Sequence, residues 1–238
     1  LYLASGSGHI YGISIPERKI IWDYPVGSDM DGTAPVSMDG MLFCAIEKEF
    51  IPGMGGVLKL DPSKKSEDSE VWFMPTGDKK VSKWQGGIIG SVSINDEYRE
   101  ENQPALFATH AIDGFLYIGS QHTVTGEKVF CPRNKKKVDT PVVVAKIQVG
   151  SSITTPIFTE GNRLVSCGYD GVHLFELTFE PAKAGTPNAI PNAKGEYFLV
   201  KVNEVARALK GVSIEASPIV WDGIVYIGCR DGYLHALG

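Results

Sequence analysis

The chain is 238 residues long, 43% hydrophobic and 21% charged, which is enough apolar material for a continuous core in one large domain. Its 28 acidic and 23 basic residues leave a net charge of −5, which argues against a general nucleic-acid binder, since such proteins carry a basic excess. No apolar run approaches the roughly 18 residues of a membrane-crossing helix, and Cys44, Cys131, Cys167 and Cys229 form no CxxC pair, which argues against a zinc or redox motif.

Residues 1–5 (LYLAS) and 9–13 (HIYGI) are short runs rich in β-branched and aromatic side chains around Gly6-Ser7-Gly8, and they predict a hairpin. Residues 19–24 add a strand, followed by a connection that carries Asp29 and Asp31. A second unit opens at Ala34-Pro35-Val36 and continues through Asp39-Gly40, the run 41–45, a swollen turn over 47–56, the run 57–60 and a closing strand over 70–73. In the third unit Gly90-Ser91-Val92 takes the first-strand place, an acidic insertion spans 95–104, and strands 106–111 and 115–119 flank Asp113-Gly114. An alternative register makes 115–119 the second strand instead of the third. The long segment 120–140 makes this unit the hardest to register, and 142–149 close it in either register.

The fourth unit runs from Thr155-Pro156-Ile157 through strands 164–168 and 172–177 around Asp170-Gly171, a loop over 180–195 and a strand over 197–202. Residues 203–210 (NEVARALK) predict a short helix with Asn203 as its cap. The fifth unit, 217–237, has two Asp-Gly turns, which supply the positive φ that tight hairpins need, and strands over 224–228 and 233–237.

Residues 225–229 and 233–237 align without a gap on 1–5 and 9–13, and the turn glycine recurs at Gly8, Gly55, Gly114, Gly171 and Gly232. Strand patterns that repeat while loop lengths vary predict an all-β fold: a β-propeller of four-stranded antiparallel blades. About five units are expected in a single domain, near residues 1–27, 28–77, 78–149, 150–202 and 203–238. The first unit lacks its opening strand and the last its closing strand, so both ends read as cuts and the ring as part of a larger one; a five-bladed ring is the alternative. A two-sheet sandwich predicts no such self-similarity.

The order Ser/Ala/Thr-Pro-Val/Ile, Asp-Gly, an apolar strand ending in glycine, Asp-Gly again, a strand ending in Ala-Leu, and a strand carrying tryptophan resembles the PQQ-like repeat of the quinoprotein alcohol dehydrogenase superfamily. The match is best over 217–237 and poor over 78–140. The resemblance implies a ring of seven or eight blades and a location outside the cytoplasm. Catalytic members of that superfamily hold PQQ with adjacent disulfide-bonded cysteines, a stacked tryptophan, and calcium near a catalytic aspartate. This sequence has no Cys-Cys pair. The expectation is therefore a non-catalytic binding or scaffolding propeller without a cofactor, served by a protein partner or a fused domain. The alternative is a PQQ- and calcium-dependent dehydrogenase with part of its site outside this chain.

A rigid scaffold carries recognition on its variable loops. The expected contact residues therefore lie on the connections from a fourth strand to the next first strand: Asp29, Asp31, Lys83, Trp84, Ser151, Ser152 and Glu215. Trp84, beside Lys79, Lys80 and Lys83, reads as a binding surface or as a plug for the ring centre. Asp39, Asp113, Asp170, Asp222 and Asp231 read as turn formers that bond their own backbone. Trp22 and Trp72 hold equivalent closing-strand positions and read as packing between blades. The acidic insertion with Asp96, Glu97, Glu100 and Glu101 lacks the spacing of a calcium loop and reads as solvated, as do Lys135, Lys136 and Lys137. The histidines have no metal-ligand spacing. Cys131, in a polar stretch, is expected to be exposed, and the other three cysteines to be small core hydrophobes.

Overall fold

The structure, a computed structural model, describes residues 1–78, 86–133 and 136–238. These residues gather into two compact units, one of Leu1–Val92, Ala111–Asp113 and Val124–Thr140, the other of Ser93–His110, Gly114–Thr123 and Pro141–Gly238. Both are built from antiparallel meanders of the β-propeller type. Among the described residues the one helical element is a 3₁₀ turn over Ser66–Asp68, and no helix is long and apolar enough to cross a membrane.

In the first unit β1 (Tyr2–Ser5), β2 (His9–Ser14) and β3 (Lys19–Pro25) form a three-stranded sheet in sequence order. Gly8 turns the first hairpin at φ 81°, and its carbonyl accepts the N–H groups of both Val26 and Gly27, which ties the outgoing connection to that turn. β4 (Leu42–Ile46), β5 (Gly56–Leu60) and β6 (Glu70–Pro75) pair in order as the second meander. An isolated bridge, Val36 to Leu42, stands where the opening strand is expected. β4 and β5 are buried along their whole length, as continuous apolar runs of strand length require. Lys59 is the polar exception, with its ammonium 5.4 Å from the Phe43 ring centre and 3.6 Å from Asp39. Ile10, Tyr24, Leu42, Leu58 and Phe73 share the core beneath.

Residues 120–130 and 137–140 are strand. They belong to a hairpin of two long strands, β9 (Phe115–Phe130) and β10 (Lys137–Gln148), to which the first unit contributes the tip. There β10 pairs with β6 in parallel, Asp139 opposite Trp72, and so occupies a strand edge that would otherwise offer unpaired backbone groups. Cys131, expected to be exposed, is fully buried in the same core as Tyr24 and Val138. The polar residues around it suggested solvent. Those residues are instead spent on ion pairs to β6, which draw the tip onto the core. Cys44 and Cys167 are buried as expected, and Cys229 is half-buried.

In the second unit β7 (Ser93–Ile94), β8 (Leu106–His110), β9 and β10 are neighbours in that order. Leu106 lies opposite Ser120 and His110 opposite Leu116, so the run beginning at Phe115 is the third strand of its unit. Next come β11 (Ile157–Thr159), β12 (Arg163–Gly168), β13 (Gly171–Ala182), the short β14 (Ile190–Pro191) and β15 (Tyr197–Ala208), ordered β11-β12-β13-β15-β14. The helix expected over 203–210 is instead strand through Ala208 and then a turn: Asn203 lies opposite Glu176, Arg207 opposite His173 and Ala208 opposite Val172. Glu, Ala and Arg favour a helix by tenths of a kcal/mol each, and a long partner strand that satisfies the backbone outweighs that preference.

The last meander is β16 (Ile219–Trp221), β17 (Ile224–Gly228) and β18 (Leu234–Leu237). Val220, Val225 and Leu237 face a core shared with Val165, Cys167, Val172 and Ile227. The register places Ile219, Trp221, Tyr226 and Leu234 on the opposite face, where Ile219, Trp221 and Leu234 are 67%, 74% and 75% exposed. An antiparallel sheet with one wet face normally alternates apolar and polar residues. This one is apolar on both faces.

Candidate functional site

The connection after β3 carries two of the expected contact residues, and the fold brings a third carboxylate to them. Ser28 is buried, and its hydroxyl lies 2.5 Å from the Glu47 carbonyl and 2.9 Å from the Glu49 carbonyl, which pins the connection to the end of β4. Met30 anchors the same stretch in the core, and its N–H donates to Asp29 Oδ1 at 2.9 Å. Glu47 is held from the other side by a backbone bridge to Gly87. Gly87 has φ 86°, and a Cβ there would lie 2.8 Å from the Glu47 Cα, so only glycine lets the two segments approach this closely. One carboxylate oxygen each from Asp29, Asp31 and Glu47 then lie within 4.8 Å of one another.

The three acids differ in setting. Asp31 is exposed, Asp29 is half-buried, and Glu47 is only 4% exposed, with its Oε1 buried and without a hydrogen-bond partner. Burial, with the negative charges of Asp31, Asp29 and Glu49 added to it, pushes the Glu47 carboxyl up to about 8. The folded chain thus keeps a proton that the unfolded chain releases near 4.5. Stability should therefore fall as pH rises from about 4.5 to 8, by a few kcal/mol, and level off above. In a chelating buffer the variant Glu47→Gln should match the parent near pH 4 and exceed it at pH 8.5 in urea unfolding. Equal pH slopes for the two proteins would refute this.

The other expected contact residues have different settings. Lys83 and Trp84 lie outside the described residues, as do Lys79, Lys80 and Lys135. Ser151 and Ser152 are buried in the second unit. The Ser152 and Thr154 hydroxyls each donate to the Cys167 carbonyl at 2.7 Å, so Ser152 serves the end of β12. Glu215 pairs with Arg230 at 2.8 Å and accepts from the Tyr169 hydroxyl at 3.2 Å. In the first unit, then, Asp29 and Asp31 are brought together. Glu47 had no signal in the sequence beyond being a charge at the end of an apolar run.

Other polar groups are consumed by the fold. His110 and Ser166 form a 2.8 Å pair, and the other His110 nitrogen contacts the Gly150 carbonyl at 2.8 Å; both residues are fully buried. His173 pairs with Glu204 at 2.8 Å and Arg207 with Glu204 at 3.0 Å. Asp231 accepts from the Tyr233 N–H at 3.0 Å, in keeping with its reading as a turn former, whereas Asp113 accepts from the Gly77 N–H at 2.8 Å and so ties its turn to a distant connection rather than to its own backbone. Asp96 accepts from Gln121 and lies 3.7 Å from Arg99, so the acidic insertion is tied down at that end. Cys229, Asp231 and His235 also offer ligand atoms within 4.8 Å of one another, but the His235 imidazole is already engaged with Asp231 at 2.8 Å. The second unit contains a cleft of about 660 Å³ lined by Val165, Leu174, Val220 and Leu237, with Arg163 and Arg207 among its polar groups.

The class defined by these elements is an all-β chain of propeller-type antiparallel meanders. No family model and no curated protein matches the sequence. Among solved structures it is similar to BamB from Moraxella catarrhalis, at 14% identity and a TM-score of 0.31, over 99% of this chain and 90% of that one.

Proposed function

We propose that this chain is a non-catalytic binding propeller that engages a protein partner outside the cytoplasm. The observation that carries the reading is the uncovered apolar face of the β16–β18 sheet, with Ile219, Trp221 and Leu234 all more than two-thirds exposed. Apolar patches of this kind mark association surfaces, and tryptophan is among the residues that dominate binding energy when a partner covers them. The inter-blade connections, with Asp29 and Asp31 on the first unit and Glu215 on the second, supply polar contacts. The resemblance of the repeats to PQQ-like blades, without the adjacent cysteines, supports an extracytoplasmic and non-catalytic reading.

Photo-reactive residues placed at Trp221 and Leu234 should each cross-link to a protein in an extract of the source cells, whereas one at the exposed Lys201 should not. Equal labelling from all three positions, or none, would count against the proposal. Adding PQQ with calcium should leave the absorbance spectrum and dye-linked alcohol oxidation unchanged, and a spectral change with turnover would favour a dehydrogenase instead.

A further inference from the structure

We propose that Asp29, Asp31 and Glu47 form a binding site for a hard divalent cation of the calcium class. The geometry is suited to one ion. Oxygens that share a calcium at 2.3–2.6 Å lie no farther than about 5 Å apart, and the three carboxylate oxygens lie within 4.8 Å of one another. The second observation is independent of that spacing. Glu47 is 96% buried, and its Oε1 has no hydrogen-bond donor, although buried polar atoms in native proteins are almost always partnered. A cation between the three acids would supply the missing partner and offset their mutual repulsion.

The donor chemistry selects the metal. All three ligands are carboxylates, which suit calcium, magnesium and manganese, whereas copper and zinc prefer nitrogen or sulfur. Calcium tolerates irregular geometry and fills its remaining positions with water, and the exposed Asp31 leaves a solvent-facing side for that water. The site is also rigid before binding: Ser28 bonds the connection to the end of β4, Met30 lies in the core, and the Gly87 bridge holds the Glu47 backbone. Little ordering cost is left for the ion to meet.

The inference does not rest on a protein partner, and it is tested on the chain alone. Chelator-treated protein is titrated with calcium, magnesium and manganese chlorides by calorimetry and by thermal unfolding. Calcium should bind once per chain with Kd of about 1 mM or tighter and raise the unfolding midpoint. Glu47→Gln and Asp31→Asn should each weaken binding at least tenfold. Glu97→Gln, which changes an exposed acid of the acidic insertion, should not weaken it. Asp31 is exposed, so its variant keeps the fold and secures the test if Glu47→Gln unfolds. No heat and no midpoint shift with any of the three ions would overturn the site, and so would binding that survives both substitutions. Because the partner cross-links are read at Trp221 and Leu234, either proposal can fail without the other.

Discussion

Glu70→Gln should lower stability by about 3 kcal/mol, and Glu70→Ala by up to about 5, because each leaves buried or half-buried cations without their counter-charge. The Glu70 side chain is 2% exposed at the start of β6, and three groups converge on it. The Tyr24 hydroxyl donates to Oε1 at 2.6 Å, the Arg133 guanidinium contacts the same oxygen at 3.3 Å, and Lys136 pairs with Oε2. Arg133 also lies 4.5 Å over the Tyr24 ring. Lys136 is 38% exposed and can rehydrate, whereas Arg133 is 17% exposed and can do so less, which keeps the glutamine variant toward the lower end. Alanine adds the cost of stranding the buried Tyr24 hydroxyl, about 1–3 kcal/mol.

The pH dependence separates this network from plain packing. Burial pushes the Glu70 carboxyl up, but hydrogen bonds from Lys136 and Tyr24 and the charges of Lys136 and Arg133 pull it further down, so it sits below its usual 4.5. Its contribution is therefore complete above about pH 4.5 and is lost as pH falls through the folded value. Urea unfolding from pH 7 to pH 3 should show a steeper acid loss in the parent than in Glu70→Gln. Hydrogen exchange should also quicken over 129–139 in the variant, since the hairpin tip is what these pairs fasten. An unchanged acid limb would show that the pairs contribute nothing net.

Trp72→Ala should cost about 3–5 kcal/mol, the range for emptying a large aromatic site. Trp72 is 1% exposed on β6, meets the Phe43 ring edge to face at 5.6 Å, and lies opposite Asp139 of the hairpin. Neither β5 nor the tip strand can fill the volume without breaking its own pairing, so the cavity stays open. Trp22→Ala should cost markedly less, about 1–2 kcal/mol, since Trp22 is only half-buried and its Nε1 donates to the Lys64 carbonyl at 3.0 Å. Denaturant midpoints at constant slope measure both. Equal losses at the two tryptophans would refute the tight enclosure of Trp72.

The strands that follow a turn glycine are legible in the sequence because each carries its own local signal. Beginning β2 at His9, β5 at Gly56 and β9 at Phe115 needs only alternating apolar residues and a glycine that turns the chain. Residues 120–130, 137–140 and 203–208 carry no such local signal. Their strand character comes from a partner: β6 and β10 at the hairpin tip, β13 along β15. The burial of Cys131 has the same origin, since its polar neighbours Arg133 and Lys136 meet Glu70 from a distant part of the chain. Asp29 and Asp31 were picked out because they lie on a connection. Glu47 was not, because nothing local marks a glutamate whose neighbours arrive from another loop.

Trp22 and Trp72 make the division plain. Their place on closing strands of repeated meanders is legible in the sequence, because strand period, turn residues and repeat alignment are local properties of the chain. That Trp72 is buried on β6 beside the hairpin strand β10, and that Glu47 lies buried near Asp29 and Asp31, comes from the folded chain alone. Burial and the meeting of charges depend on residues far apart in sequence, and no local pattern encodes that distance.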